Sequence, residues 1–318
     1  VPTVAERMER RQVPLYLVAI GAGGIVGITL PDAAPTLAHA INPTLAALLY
    51  VTFLQVPAAA LLTAIKNGRF IAILLALNFL IVPLVVAVLA EFLPSDQSVR
   101  IGALLVLLCP CIDYVVVFSG LAGADSRRLL AATPVLLIAQ TALLPLYLYF
   151  FLGSDLAAIV DVGPFVEAFA VLIVLPLVLA WATQWWSAAH RSGTHFVGAA
   201  GTSMVPLMMV VLAVVVACQL PRIGSSWSTV LAVAPVYVCF LVVMPVLGDL
   251  ISRRAGFDAA ARRAVVFSGA TRNSLVVLPL ALSLPPGFDL AGAVVVTQTL
   301  VEVIGMVVYV RVIPKVIV

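Results

Sequence analysis

Charge is what this sequence has least of: Asp, Glu, Lys and Arg make up 10% of its 318 residues, while hydrophobic residues make up 64%. Water-soluble domains carry about 25% charged and about 45–50% apolar residues, so a soluble fold is excluded. Disorder falls with it, because disorder needs low hydrophobicity and high net charge. Histidine is nearly missing. The three present, His39, His190 and His195, sit near the ends of apolar runs. No H-E-x-x-H pair and no intramembrane serine–histidine pair occurs, so no enzyme is expected. No Lys/Arg run is interleaved with aromatics, which removes nucleic acid as a partner. There is no G-x-x-x-x-G-K-[ST] loop and no polar loop long enough for an ATPase domain, so nucleotide-driven work is excluded and no cofactor is called for. The four cysteines, Cys109, Cys111, Cys218 and Cys239, lie inside apolar runs, away from the loop positions that a secreted disulfide framework uses.

What is there is apolar sequence in long blocks, with a mean hydropathy of +1.21. A helix needs about 20 apolar residues to cross hydrocarbon. Ten stretches can be drawn, at residues 14–31, 41–64, 70–92, 100–122, 129–152, 164–186, 197–220, 228–250, 264–285 and 290–313. They are too long and too uniform for the alternating strands of a barrel. The polar N-terminus (Glu6, Arg7, Glu9, Arg10, Arg11) leads into the first of many spans and does not read as a cleaved signal. With ten spans, 14 Lys and Arg fall on one side, Arg100 and Arg222 on the other, and Arg272 within a span. The positive-inside bias then places both termini in the cytoplasm. The expected class is an all-α polytopic protein of the cell (plasma) membrane.

The two halves of the chain echo each other in order. Pro43…Gln55-Val-Pro57 matches Pro206…Gln219-Leu-Pro221, and Asn78-Phe79…Pro83 matches Cys239-Phe240…Pro245. Cys111-Ile-Asp113-Tyr-Val-Val-Val117 matches Thr271-Arg-Asn273-Ser-Leu-Val-Val277, and Gln140-Thr141 matches Gln298-Thr299, at offsets between 158 and 164 residues. Residues 1–152 and 153–318 each then hold five spans. An odd number makes the second half enter the membrane from the opposite side, which is a 5+5 inverted repeat. Secondary transporters of that design place substrate near the midplane between broken helices.

A charge inside the bilayer costs roughly 2.5–3.5 kcal/mol even on lenient scales and is a functional candidate by default. Asp113, Arg272 and Glu302 lie well within their spans, whereas Glu167 and Asp249 lie near span ends and read as exposed. Asp113 and Arg272 fall at nearly equivalent places in the repeat. Around them the composition changes to Cys109-Pro110-Cys111 and to Ser268-Gly269-Ala-Thr271-Arg272-Asn273-Ser274. Pro110 lacks an N–H and disturbs the preceding turn. Gly269 is a weak helix former, and Thr271, Asn273 and Ser274 bind freed backbone groups. Spans four and nine are therefore expected to be discontinuous and to cross there. The Asp113–Arg272 pair is read either as a fixed ion pair or as linked to a ligand. Glu302 has Gln298 and Thr299 within helical reach and is read either as a proton carrier or as a neutral hydrogen-bonding group. Gln55, Asn78, Gln140 and Gln219 read first as interhelical hydrogen-bond glue. Cys111, at the expected break, is read either as packing or as a ligand for a soft centre.

The stretches Cys109-Pro110-Cys111…Val115-Val-Val-Phe118…Leu121-Ala-Gly-Ala-Asp125 and Ser268…Arg272-Asn273-Ser274 resemble the bile acid:sodium symporter superfamily. With Asn78-Phe79…Pro83 and Val301-Glu302-Val303, the chain looks most similar to the arsenical resistance (arsenite efflux) permeases. The resemblance implies a core domain, from spans 3–5 and 8–10, that moves against a panel domain from spans 1, 2, 6 and 7. It also implies a functional cysteine, here Cys111, as a soft ligand for uncharged As(III) or Sb(III) hydroxides exchanged for protons. Sodium-coupled members carry an acidic residue and a glutamine where this sequence has Ser268 and Arg272, which argues for protons over sodium. Asn273-Ser274-Leu275 holds no carboxylate, so the proton role would fall to Asp113 or Glu302.

The expected activity is thus secondary transport of a small solute. Arsenite or antimonite efflux comes first, with a pathway lined by Cys111, Asp113, Arg272, Asn273, Ser274, Glu302, Gln298, Thr271 and Asn78. An organic-anion (carboxylate) transporter, with Arg272 on the anion, is the alternative, and a receptor or scaffold is a third reading. Panel helices could pack against lipid or against a second copy in a homo-oligomer.

Overall fold

The computed structural model describes residues 8, 12–55, 68–112, 114–159, 167, 170–223, 226–285 and 287–318. Asp113, Pro57 and the N-terminal basic cluster lie outside them. The described residues form helices and no strand. In chain order these are α1 (Gln12–Thr29), α2 (Ala34–Leu54), α3 (Gly68–Ala90), α4 (Gln97–Leu107), α5 (Tyr114–Leu121), α6 (Ser126–Ile159), α7 (Leu175–Ala189), α8 (Arg191–Thr202), α9 (Met204–Ile223), α10 (Trp227–Leu231), α11 (Ala234–Arg254), α12 (Ala259–Ala270), α13 (Ser274–Leu282) and α14 (Leu290–Val316). Helices suit such a composition because lipid offers no partner for an open backbone N–H or C=O.

Among the described residues, 6 helical stretches are long and apolar enough to cross a membrane: Pro31–Leu54, Gly68–Ala90, Ser126–Phe151, Met204–Pro221, Trp227–Arg254 and Leu290–Val316. The protein is therefore a polytopic membrane protein. The expected fourth and ninth spans are not among the six because each is cut into two short helices, α4 and α5 in one, α12 and α13 in the other.

The chain divides into two compact units, Val1–Gln55 with Val162–Trp227, and Val56–Asp161 with Ser228–Val318. In the first, α1 lies hard against α9. A Cβ on Gly23 would sit 2.3 Å from the carbonyl oxygen of Ala213, and one on Gly27 2.9 Å from that of Ala217. Small residues spaced by one turn let membrane helices approach this closely. In the same unit the Tyr50 hydroxyl lies 2.8 Å from Thr183 Oγ1, and Gln184 Nε2 donates to the Leu54 carbonyl at 3.0 Å, which joins α2 to α7.

The second unit is built from devices that recur 162 residues apart. Asp96 caps α4 by accepting from Val99 N at 3.0 Å, and Asp258 caps α12 by accepting from Ala261 N at 3.0 Å. In α3, Pro83 has no N–H for the carbonyl of Phe79, four residues back. A π-helical turn, Leu77–Ile81, forms there, and Tyr147 on α6 donates its hydroxyl to Phe79 O at 2.6 Å. In α11, Pro245 leaves the Leu241 carbonyl in the same position, and the hydroxyl of Tyr309 on α14 donates to it. Both tyrosine clamps thus take a carbonyl that a proline has released, a polar group that would be costly to leave bare in hydrocarbon.

Candidate functional site

Residues 108–112 and 271–273 leave the helical path in the middle of the second unit. Pro110 and Arg272 form an isolated antiparallel bridge. Asn273 N donates to Cys109 O at 2.8 Å, and Cys111 N donates to Thr271 O at 3.2 Å. Replacing each residue by its counterpart 162 positions away turns one of these bonds into the other. The two interrupted segments therefore satisfy one another's main chain, which makes unwound backbone tolerable inside a protein at membrane depth. Asn273 then starts α13, its Oδ1 accepting from Val276 N at 3.2 Å. Thr271 returns its hydroxyl to Phe267 O at 2.8 Å.

Among the described residues, one basic and one acidic side chain are enclosed here, Arg272 and Glu302, each with 0% exposure. The guanidinium turns back over α12. Its Nη2 lies 2.8 Å from Asn78 Oδ1, 3.0 Å from Ser268 O and 2.8 Å from Gly269 O, and its Nη1 donates to Leu107 O at 3.3 Å. Its carbon sits 5.2 Å from the centre of the Phe240 ring, within range of a cation–π contact. Asn78 reaches it from the π-helical turn of α3, and Asn78 Nδ2 donates to Ser268 Oγ at 3.1 Å.

Glu302, on α14, accepts from a different set of groups. One oxygen takes the main-chain N–H of Arg272 at 2.8 Å and the Nε2 of Gln298, and the other takes the Tyr114 hydroxyl. That hydroxyl also lies 3.2 Å from the Arg272 carbonyl oxygen. Ser274 accepts from Thr299 Oγ1 at 2.8 Å, tying the start of α13 to α14.

The structure thus brings Asn78, Thr271, Arg272, Asn273, Ser274, Gln298 and Glu302 to one locus, with Cys111 buried in the crossing main chain. Asp113 lies outside the described residues. Thr299 turns to Ser274, not to Glu302, because its hydroxyl meets the start of α13 first. Asn78 does join helices. Among the described residues, however, neither amide atom of the buried Gln140 or Gln219 has a hydrogen-bond partner, contrary to the glue reading. Gln55 is exposed. Asp249 is paired with Arg262 at 2.7 Å and with Arg253 at 3.4 Å, and Glu167 is exposed.

Two residues of the site carried no prior expectation. Tyr114 directly follows Asp113, so a hydroxyl-bearing ring at the start of a half-helix was its only signal. Phe240 offered none beyond standing in the repeat match with the Asn78 region, since an aromatic ring in an apolar run looks like any other packing residue.

No curated protein matches the chain. A family model does, over residues 24–309, and it is described as the SBF-like CPA transporter family, a bile acid:sodium symporter-type group. Nothing in that match singles out the arsenite-efflux branch. With crossed half-helices around a buried Arg–Glu site and a match over most of its length, the chain belongs to the SBF-like CPA transporter family and is a secondary transporter.

Proposed function

We propose that the chain is a proton-linked secondary transporter and that Glu302 is the group that takes up and releases the proton. One observation carries this: the Tyr114 hydroxyl has two acceptors, the Glu302 carboxylate and the Arg272 carbonyl at 3.2 Å. When Glu302 is ionised, Tyr114, Gln298 and the Arg272 N–H donate to it. When Glu302 is protonated, the hydroxyl turns to the carbonyl and its oxygen accepts the new acid proton. A buried polar group left without a partner costs about 1–3 kcal/mol, and this arrangement spares the Glu302 oxygens that cost in both states. The reading takes the chain as ten spans in two inverted halves, cytoplasmic at both ends, with the first compact unit as panel and the second as core. The constant 162-residue recurrence in the second unit and the two-unit division support it.

For the solute we assign uncharged As(III) or Sb(III) hydroxides, with Cys111 as soft ligand and export in exchange for protons. The support is a buried cysteine at the crossing and the Pro110-Cys111 resemblance. Thiol sulfur suits such soft centres. The carboxylate-binding alternative would need a guanidinium open to an anion, and both terminal nitrogens of Arg272 already face protein oxygens.

In inverted vesicles loaded with a pH-sensitive dye, As(III) addition should move protons through the wild type. Glu302→Gln should retain the fold and lose coupled flux by at least about 100-fold, as expected for loss of a group that handles the proton. Undiminished proton flux in Glu302→Gln would refute the proton role. Arsenite tolerance untouched in Cys111→Ser cells would refute the solute assignment alone.

A further inference from the structure

The surroundings of Arg272 are those of a bound cation more than those of a hydrogen-bonding side chain. Nη2 carries two hydrogens, yet three oxygens lie within 3.0 Å of it, from Asn78, Ser268 and Gly269. Charge, not donor count, accounts for the third. Three of the four oxygens around the guanidinium are main-chain carbonyls, those of Leu107, Ser268 and Gly269. Leu107 ends α4, and Ser268 and Gly269 lie in the last turn of α12. The last four carbonyls of a helix have no partner within it and carry the negative end of its dipole. In transporters built from broken helices, such C-terminal carbonyls and unwound backbone hold the coupling alkali cation. Here four oxygens from three separate segments converge, and the chain's own guanidinium stands among them, backed by the Phe240 ring.

We infer that Arg272 is a tethered cation: it occupies a cradle for an alkali metal ion, so that this transporter needs none, and removing its charge opens a Na+/Li+ site formed by Asn78 Oδ1 and the carbonyls of Leu107, Ser268 and Gly269. The inference deepens the proton-linked reading by explaining how the two half-helix ends are neutralised without a second ion. Deleting the side chain leaves the four oxygens facing one another. A small hard cation is the species that oxygen ligands of this kind take up.

The test is equilibrium binding, read as the melting temperature of the purified chain in detergent. NaCl, LiCl, KCl and choline chloride are titrated at matched ionic strength. Wild type and Arg272→Lys should melt at the same temperature in all four salts, because each supplies its own positive charge. Arg272→Ala and Arg272→Gln should melt several degrees lower in choline and recover, saturably, in Na+ or Li+. Arg272→Gln keeps most of the packing and guards against a failure of the alanine variant. A saturable Na+ or Li+ response in the wild type would overturn the inference. So would neutral variants that respond to no alkali cation, or that cannot be recovered folded in any of the four salts. No transport is measured, so failure of Glu302 as proton carrier would leave this result standing, and a Na+-responsive wild type would leave the Glu302 experiment intact.

Discussion

At the residue scale the site is asymmetric where its backbone is symmetric. The bridge Pro110↔Arg272 joins residues 162 positions apart, and on the same offset Gln140 corresponds to Glu302, not to Gln298 as the sequence match has it, and Tyr114 to Val276, not to Ser274. Arg272 offers Glu302 a main-chain N–H. Pro110 has none to offer Gln140, and Val276 has no hydroxyl. The donors that hold the carboxylate are therefore missing from the other half, and the buried Gln140 amide finds no partner among the described residues. Burying such an amide unsatisfied costs about 1–3 kcal/mol. Gln140→Leu should accordingly raise stability by about 1 kcal/mol or more, read as a higher melting temperature in detergent; a fall would mean the amide has a partner in the working protein. Arg272 and Glu302 were legible as site residues because a charge in an apolar run needs an explanation. Tyr114 was not, because a tyrosine fits a span without one. Gln298 was assigned to Glu302 correctly by its four-residue spacing. The same logic put Thr299 there too, and it failed because helical reach says nothing about a competing acceptor on another helix.

At the element scale, prolines and glycines decide more than apolar content does. Pro83 and Pro245 each release a carbonyl that a tyrosine on a neighbouring helix takes up. The prolines were visible in the sequence, but their tyrosine partners lie 64 residues further on and no local pattern links them. In the first unit the approach of α1 to α9 depends on the missing side chain of Gly23, where an added Cβ would meet the Ala213 carbonyl oxygen at 2.3 Å. Backbone on both sides leaves nothing flexible to move. Gly23→Val should destabilise the protein by at least about 1–3 kcal/mol, the usual cost of overpacking. The measurement is loss of the monodisperse peak in detergent size-exclusion chromatography at a lower temperature than wild type. Gly24→Val, where an added Cβ meets nothing within 4 Å, is the control and should be indistinguishable from wild type.

At the scale of the whole molecule, the uneven placement of Lys and Arg makes a prediction about orientation that the fold does not address. In the ten-span reading Ser95, five residues before Arg100, falls on the cation-poor side and Ser192, next to Arg191, on the cation-rich side; both serines are exposed. With cytoplasmic termini, a membrane-impermeant maleimide should label Ser95→Cys in intact cells. Ser192→Cys should be labelled only after permeabilisation, and the reverse pattern would invert the topology. Composition determined that this chain lives in lipid, and the length and uniformity of its apolar runs that its backbone is helical, because hydrocarbon admits only helices and closed barrels and a barrel needs short alternating strands. Pro110 and the polar run Thr271–Ser274 marked where two helices had to stop, a consequence of a missing N–H and of side chains that compete for backbone. Which oxygens surround Arg272 was decided only in three dimensions. Asn78 lies 194 residues away in sequence, and Leu107 lies 165 away. A guanidinium read from the sequence is a bare charge awaiting a ligand, whereas in the folded chain it already stands among the carbonyls of two helix ends, because only the packing of α3, α4 and α12 brings those oxygens within reach of its two terminal nitrogens.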